Sequence, residues 1–416
     1  MFPGEDADDD DDDDDDEMTA PGNRTKPAPP PPTSGLNAGW QDAPLCRPYA
    51  EKPDALDARS GTSAAAEARR ALESLGHVAL LGDSTLRYQY LTLAFMLARG
   101  ETPPFQFYSV EWQSIRQRNW DAFLKKTSAI LNDAQQEERP SGATRRCREF
   151  CDCSRSMKVR DAGTSGGDDQ VENRYLRVLP ASGAEAASAA APLHVSFFNW
   201  APFLATRWAP SMAEGWPRED GPTYPDASAP FARFRSGADF LEEVVAKLRP
   251  QPAWVVVNRG LWERMPWSNL TELFETGRRL RERRGMRFVW RTTTLTWPSG
   301  LAAKGVPKLS SAGYKERADK EIALAHAHGW ATLDMHGVTN NLGVLGRNTT
   351  LDGMHFKEAL SVCYNLKMLR ALAGWSATPQ AGSPWPRAAL QQLQESLRLE
   401  SRDPRACRVL PGAATH

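Results

Sequence analysis

A short apolar run that ends in Gly-Asp-Ser constrains the fold of this chain more than any other stretch. The run from His77 to Leu81 stops at Gly82-Asp83-Ser84, and an amphipathic pattern with helical spacing follows at once. The run is too short for a globular helix, so it predicts a buried strand with a helix directly after it. Ser84 then lies at the carboxyl end of a strand, where open α/β sheets place their ligands and where helix N–H groups can face a developing negative charge. We interpret this as a nucleophile's position.

Further along the chain, short apolar runs alternate with segments of helical spacing. Strands are predicted at 194–198, 254–258, 287–292 and 331–333, and helices at 64–75, 120–134, 238–248, 271–284, 314–328 and 356–372. Strands that alternate with helices give a parallel sheet that is covered on both faces. The sequence therefore predicts an α/β fold.

Shifts in composition divide the chain into three parts. Residues 1–36 hold an acidic run and a proline-rich stretch, which predicts a disordered tail. Residues 37–376 form the predicted catalytic domain, with irregular insertions at about 135–172 and 205–236. Residues 377–416 are a C-terminal extension.

The net charge of −1 hides a basic body. Twelve acidic residues lie within positions 5–17, and without them 40 acidic residues face 51 basic ones. Such a surplus favours an anionic partner. The motifs of nucleic-acid-binding modules are absent from the sequence, so we do not expect a nucleic-acid partner. No run reaches the roughly 20 apolar residues that cross a bilayer, and the N-terminus is acidic where a secretory signal would be basic and then apolar.

Six cysteines and three Asn-x-Ser/Thr sequons bear on the compartment. The sequons begin at Asn23, Asn269 and Asn348. The cysteines are Cys46, Cys147, Cys151, Cys153, Cys363 and Cys407. Their even number favours disulfides and thus the secretory pathway, with reduced thiols as the alternative. The group from Cys147 to Cys153 has neither the usual zinc-ligand spacing nor a fourth ligand nearby, so we predict no metal site.

Two later segments offer partners for Ser84. Asn258 follows a predicted strand, on the same edge of a parallel sheet as Ser84, where its amide can donate to an oxyanion; the alternative is that it caps the next turn. Asp352 and His355 stand three apart just ahead of the last helix. The carboxylate can accept from one imidazole nitrogen and leave the other to take a serine proton. In the alternative interpretation, Asp352 only caps the final helix and His355 packs on its first turn.

Together these segments resemble the SGNH, or GDSL-type, hydrolase superfamily. The chain is most similar to its PC-esterase group, which includes the plant trichome-birefringence-like polysaccharide O-acetyltransferases and the sialate O-acetyltransferases. The matching segments are Gly82-Asp83-Ser84-x-x-Arg87-x-Gln89, Phe197 to Leu204, Asn258-x-Gly260-x-Trp262 and Arg291-Thr292, and they stand in the family's order across about residues 74–373. The last motif departs from the plant enzymes, because Asp352-Gly353-Met354-His355-Phe356 lacks their flanking cysteines and tryptophan.

The resemblance implies a three-layer α/β/α sandwich with a flavodoxin-like parallel sheet and an irregular insertion lobe. It implies that Ser84 is the nucleophile, His355 the base and Asp352 the residue that orients the base. It also places Arg87 at the oxyanion, where the Ser84 N–H, Asn258 and Asn199 are further candidate donors.

The resemblance further implies an O-acetyltransferase that moves an acetyl group onto a hydroxyl of a polysaccharide or glycan. An esterase, with water in place of the sugar, is the alternative, and a non-catalytic glycan-binding protein is a third. Trp200, Trp262 and Trp267 follow strand ends, where they are expected to stack on sugar rings, with packing of a lid as the alternative. No bound cofactor is expected; the acetyl donor, acetyl-CoA or an acylated intermediate, is a co-substrate. The expected location is the Golgi lumen, although no membrane tether is visible in this sequence.

Overall fold

A computed structural model describes most of the predicted catalytic domain. The described residues are 46, 58–104, 120–133, 147–156, 169–179, 192–199, 207–208, 232–233, 236–260, 267–294, 311–342, 350–351 and 355–377. The predicted tail at 1–36, nearly all of the predicted C-terminal extension and most of the insertion at 205–236 lie outside these residues.

Nine strands and eight α-helices are found in the described part of the chain. The strands are β1 (Val78–Gly82), β2 (Cys147–Ser156), β3 (Asp169–Val178), β4 (Leu193–Asn199), β5 (Arg207–Trp208), β6 (Ala232–Arg233), β7 (Trp254–Val257), β8 (Arg287–Arg291) and β9 (Ala331–Leu333). The helices are α1 (Ala58–Leu75), α2 (Ser84–Arg99), α3 (Trp120–Asp133), α4 (Gly237–Glu243), α5 (Trp267–Arg284), α6 (Ser311–Ala327), α7 (Met335–Leu342) and α8 (Glu358–Ala377). One 3₁₀ turn, Val245–Lys247, follows α4.

Seven strands form one sheet in the order β2-β3-β4-β1-β7-β8-β9. Five of them, from β4 to β9 in that order, run parallel. Counted along the chain, these five stand in the spatial order second, first, third, fourth, fifth, which is that of doubly wound sheets of the flavodoxin type. The predicted α/β fold with a mostly parallel sheet is therefore confirmed.

The strands bury side chains on both faces of the sheet. Val78 and Leu80 of β1 pack into one apolar cluster together with α1, α2, α3 and α8. Ala79 and Leu81 pack into a second cluster with α4, α5 and α6. Successive side chains of a strand point to opposite faces, so the two clusters lie on the two sides of the sheet. The result is a helix layer, a sheet and a second helix layer, compatible with the predicted sandwich.

The prediction of an irregular insertion at 135–172 is wrong for the residues that the structure describes. β2 and β3 pair antiparallel over ten residues each, and β3 joins β4, so this hairpin extends the sheet. Sequence patterning missed the hairpin because its buried positions include charged residues. Glu149, Glu172 and Arg174 are all at most 3% exposed, and buried charges need partners that lie elsewhere in the chain.

Cysteines form two disulfides in the structure. Cys46 is bonded to Cys363 on α8, and Cys151 is bonded to Cys153 within β2. The predicted tendency towards disulfides is thus reflected in two pairs. Cys147 is buried and belongs to neither bond, and burial raises the pKa of its thiol to about 12. Cys407 lies outside the described residues.

His77 closes the lower end of the sheet, at the amino ends of its parallel strands. Its Nδ1 lies 2.7 Å from the Pro250 carbonyl oxygen, to which it donates, and its Nε2 lies 2.7 Å from the Ser196 hydroxyl, from which it accepts. Both bonds suit the neutral ring. Burial lowers the pKa of His77 from 6.5 to about 3, and that of the neighbouring His194 to about 4.

We predict that the folded state loses stability on acidification because of these rings. The unfolded chain takes up a proton on His77 below pH 6.5, whereas the folded chain does so only near pH 3. The unfolding free energy should therefore fall by up to about 1.4 kcal/mol for each pH unit in that window. His77→Asn keeps a donor for Pro250 and removes this titration. Denaturant unfolding between pH 7.5 and 4.5 should show the gap between wild type and variant narrowing, and a constant gap would contradict the assignment.

Candidate active site

The candidate active site lies at the carboxyl edge of the parallel strands, at the point where the winding of the sheet reverses. β1 stands between β4 and β7, so the residues after these three strands are neighbours. Gly82 pairs with Asn199, and the Asn258 N–H donates to the Leu81 carbonyl at 2.9 Å. Sheets with this strand order bind ligands at such a crevice. The structure therefore places Ser84, Asn199 and Asn258 on one edge, as predicted.

Asp83 fixes the turn that presents Ser84. It is the N-cap of α2, and its carboxylate accepts from the Thr85 N–H at 2.9 Å and from the Thr85 hydroxyl at 2.6 Å. Ser84 is the first residue of the helix and the only half-buried one in a stretch, from Val78 to Ala98, that is otherwise buried. Its hydroxyl thus stands at the positive end of a 16-residue helix, where negative charge is stabilised.

His355 is distant from Ser84 in the sequence but adjacent to it in the folded chain. Its Nε2 lies 2.7 Å from the Ser84 Oγ, across 271 positions of sequence. With the ring proton on Nδ1, Nε2 accepts a hydrogen bond from the serine. The ring is 6% exposed and meets the Tyr88 ring edge-on, with the centroids 5.1 Å apart. A short bridge between Thr350 and Phe356 closes the loop that carries His355.

Asp352, the third predicted member, lies outside the described residues. The structure describes Leu351 and His355 on either side of it, and the Leu351 N–H donates to the His355 carbonyl at 2.7 Å. The role of Asp352 as the partner of His355 Nδ1 stays a prediction. The serine–histidine pair on its own can transfer a proton from the hydroxyl as the hydroxyl attacks an electrophile.

Gly260 packs against the cap residue Asp83, and Arg291 is a buried cation that interacts electrostatically with it. Gly260 has φ of +78°, and a Cβ there would lie 2.3 Å from the Asp83 Cγ, so a side chain at this position would displace the cap. Arg291 is completely buried. Burial lowers its pKa to about 10, against the opposing influence of Asp83 and Tyr364. The sequence motifs included Gly260 and Arg291, but only the structure shows that Gly260 leaves room for the Asp83 carboxylate.

Arg87, predicted at the oxyanion, belongs to a buried cluster of four charged side chains. Its Nε donates to the Glu172 carboxylate, and the side chains of this pair are 2% and 0% exposed. The Arg174 Nε donates to the same carboxylate at 2.9 Å, and its Nη1 donates to Glu149 at 3.0 Å. Burial opposes the charge of Arg174, but the two carboxylates outweigh it and raise its pKa. We call Arg87, Glu149, Glu172 and Arg174 the buried ion cluster.

The two asparagines differ in their surroundings. Asn258 is fully buried; its amide N–H donates to the Arg291 carbonyl at 3.0 Å, and its Oδ1 lies 3.4 Å from the Thr85 hydroxyl oxygen, whose proton is donated to Asp83. The amide bond ties the end of β7 to the end of β8, and the contact with Thr85 brings both strand ends to the start of α2. Asn199 is the last residue of β4 and is 7% exposed. The oxyanion role of both stays a prediction.

Of the three predicted sugar-stacking tryptophans, the structure describes Trp267. It begins α5, is half-buried, and has the Arg259 guanidinium 5.7 Å from its ring centroid. Arg259 in turn donates to Glu321 at 3.3 Å. Trp200 and Trp262 lie outside the described residues, so their placement beside Ser84 is untested.

Within the described ranges, no group of three or more His, Cys, Asp or Glu side chains is arranged to hold a metal ion. Among the described helices, none combines the length and the apolar composition needed to cross a bilayer.

The disulfide between Cys46 and Cys363 lies behind the histidine loop. Cys363 packs with Phe356, Leu360 and Tyr364 in a small apolar cluster that Cys46 also joins. Phe356 directly follows His355, so this cluster supports the position of the imidazole.

We predict that loss of this disulfide lowers stability more than loss of the other one. The Cys46–Cys363 bond spans 317 residues, whereas Cys151–Cys153 spans two. A cross-link that closes a long loop typically contributes about 2–4 kcal/mol. Thermal unfolding of Cys46→Ser should show a clearly lower Tm, whereas Cys151→Ser should stay close to wild type. Peptide mapping of native protein checks the pairing itself. Equal effects of the two variants, or a free Cys363 thiol, would contradict this prediction.

Comparison with known proteins yields no relative for this chain. No family model matches it, and no match is found among curated proteins or among solved structures.

Proposed function

We propose that the protein is an O-acetyltransferase of the SGNH type that moves an acetyl group onto a hydroxyl of a polysaccharide or glycan. The observation that carries this proposal is the 2.7 Å hydrogen bond between the Ser84 Oγ and the His355 Nε2, at the start of α2 and at the reversal point of the sheet. The strand order supports the finer fold assignment, and the order of the sequence motifs supports the choice of acetyl transfer.

In the first half of the reaction, the Ser84 hydroxyl attacks the carbonyl carbon of the acetyl donor. His355 Nε2 takes the hydroxyl proton, and Asp352 holds the imidazole in the required tautomer. The bond from the carbonyl carbon to the leaving group breaks, His355 returns the proton to that group, and the acetyl group remains on Ser84. The donor, acetyl-CoA or an acylated intermediate, is a co-substrate, and no bound cofactor is needed for these steps.

In the second half, a sugar hydroxyl takes the place of the leaving group. His355 removes its proton while its oxygen attacks the acetyl-enzyme, and the Ser84 oxygen then leaves with that proton. Each half passes through a tetrahedral oxyanion. The Ser84 N–H at the helix start is one donor to it, and Arg87, Asn258 and Asn199 are the other proposed donors. Such donors act by being fixed in advance of the charge.

We predict that Ser84→Ala, His355→Ala and Asp352→Ala each remove most turnover while the fold persists. A positioned proton transfer contributes about 10²–10⁴ in rate, and removal of the nucleophile costs more. Hydrolysis of an aryl acetate measures the loss, and mass spectrometry of the acid-quenched protein detects acetyl-Ser84. Ser74→Ala on the exposed side of α1 is the matched control, because its hydroxyl only donates to the Ala71 carbonyl. Near-normal activity in Ser84→Ala would remove the nucleophile assignment.

The esterase alternative uses the same serine and histidine, with water in place of the sugar. A transferase must hold the sugar hydroxyl at a high effective concentration, and oriented groups reach about 10⁵ M or more. Trp200, Trp262 and Trp267 are the proposed stacking surface for that sugar. Trp267 is half-buried, so part of its indole is exposed, and indole rings commonly pack against flat apolar surfaces.

We predict slow release of acetate from an aryl ester in the absence of a sugar acceptor. Addition of a suitable unacetylated oligosaccharide should divert acetyl groups onto the sugar, as measured by mass spectrometry of the glycan. Trp267→Ala should raise the KM for the oligosaccharide and leave aryl-ester hydrolysis nearly unchanged. Fast hydrolysis that no oligosaccharide affects would replace the transferase by the esterase. Binding of oligosaccharide without any acetyl-Ser84 would favour the non-catalytic alternative.

We also propose a location in the secretory pathway, in the Golgi lumen. Two disulfides and the three sequons support it. Asn269 lies in the first turn of α5 and is half-buried, whereas Asn23 and Asn348 lie outside the described residues.

A further inference from the structure

We propose that Glu172 is a positioning residue for the oxyanion site, acting through Arg87. This inference rests on the proposed function, because it takes Arg87 to stabilise the oxyanion. It assigns a catalytic purpose to the β2–β3 hairpin, which carries none of the predicted catalytic residues.

Arg87 and Ser84 lie close together along α2. Arg87 stands three residues after Ser84 on the same helix, and residues three apart lie on the same face of a helix. A guanidinium there is within one helical turn of the nucleophile. Its side chain is long and has several rotatable bonds, so the position of its N–H donors depends on what holds them.

The Glu172 carboxylate binds the Arg87 side chain. Glu172 lies on β3, and its two carboxylate oxygens accept from different arginines: Oε2 from the Arg87 Nε and Oε1 from the Arg174 Nε. Arg174 is itself fixed by Glu149 and by the Thr127 hydroxyl at 3.0 Å. The carboxylate of Glu172 therefore cannot turn without breaking one of two charge-assisted bonds. Bonds of this kind are shorter and stronger than neutral ones.

The charges of the buried ion cluster also restrict what can replace Glu172. The buried ion cluster contains two guanidinium groups and two carboxylates, so its formal charges balance, and the side chains of its three ion pairs are at most 2% exposed. Water cannot replace a missing partner at this depth without a rearrangement. A neutral residue at position 172 weakens the electrostatic attraction that holds the Arg87 guanidinium in its orientation. A displacement of about 1 Å at a catalytic group can cost on the order of 10² in rate.

A double-mutant cycle tests this inference. The variants are Glu172→Gln, Arg87→Met and the pair together, and the rate measured is phosphonylation of Ser84 by an alkyl fluorophosphonate, which needs the oxyanion site but no particular substrate. Glu172→Gln should lower this rate about 10- to 100-fold. In the Arg87→Met background, the same change should have almost no further effect, because residues that act as a unit are not additive.

Glu149→Gln is the matched control. Glu149 is also buried and paired with Arg174, but the described partners of its carboxylate are Arg174 and the Tyr90 hydroxyl rather than Arg87. We expect it to lower Tm about as much as Glu172→Gln but to cause a clearly smaller loss of labelling rate, because Glu149 reaches Arg87 only through Arg174 and Glu172. Glu172→Asp, which keeps the charge, should recover part of the rate. If Glu172→Gln does not fold, the cycle is measured with Glu172→Asp instead.

The outcomes separate the two proposals. Additive effects of Glu172 and Arg87, or equal rate losses in Glu172→Gln and Glu149→Gln, would overturn the positioning role and leave the serine mechanism in place. Absence of any labelling at Ser84 in the wild type would overturn the proposed function, and the positioning role with it.

Discussion

The candidate site depends on one buried carboxylate, that of Asp83. Asp83 caps α2 directly after β1 ends, so that Ser84 is the first residue of the helix. The carboxylate is 1% exposed and is bonded to both the N–H and the hydroxyl of Thr85. The Thr85 hydroxyl oxygen lies 3.4 Å from the Asn258 side-chain oxygen, and the Asn258 amide donates to the Arg291 carbonyl. The ends of β1, β7 and β8 are thus joined through one polar chain just beneath the nucleophile.

This polar chain restricts which residues can fit around the serine. A buried carboxylate is tolerable only where its hydrogen bonds are complete. Gly260 leaves the room for it, since a Cβ at that position would overlap the carboxylate. Arg291 supplies positive charge from below, at the cost of its own desolvation. The position of the serine is therefore a property of three strand ends and not of the Gly-Asp-Ser turn alone.

Much of this arrangement can be predicted from sequence, because the apolar periodicity records it directly. Runs such as Val78–Leu81 and Trp254–Val257 are buried on both faces and read unambiguously as parallel strands. The order of the strands places Ser84 and Asn258 on one edge. The pairing of His355 with Ser84 rests on the Asp352-x-x-His355 spacing and on the resemblance, since the two residues lie 271 positions apart and no local pattern links them.

The β2–β3 hairpin marks where sequence reasoning fails, and the reason is also electrostatic. Glu149 and Arg174 look like surface residues when each is considered alone, and Glu172 carries the same signal. Their burial depends on partners on α2 and on neighbouring strands, which only the folded chain brings together. Helix α7 was not predicted from the sequence either. Its first turn also depends on a partner that is distant in sequence, because the His336 N–H donates to the Thr292 hydroxyl.

The stability of the fold does not by itself explain the buried ion cluster. A buried ion pair is weak evidence for stability, because desolvation of both charges offsets their attraction, and an apolar pair of equal volume is often as stable. What an apolar pair cannot do is hold a cation in one orientation beside a developing negative charge. The cluster that contains Arg87 lies one helical turn from Ser84, and its charges balance without any ligand. On the proposed mechanism, the cluster contributes more through the orientation that it imposes on Arg87 than through the free energy that it adds to the fold.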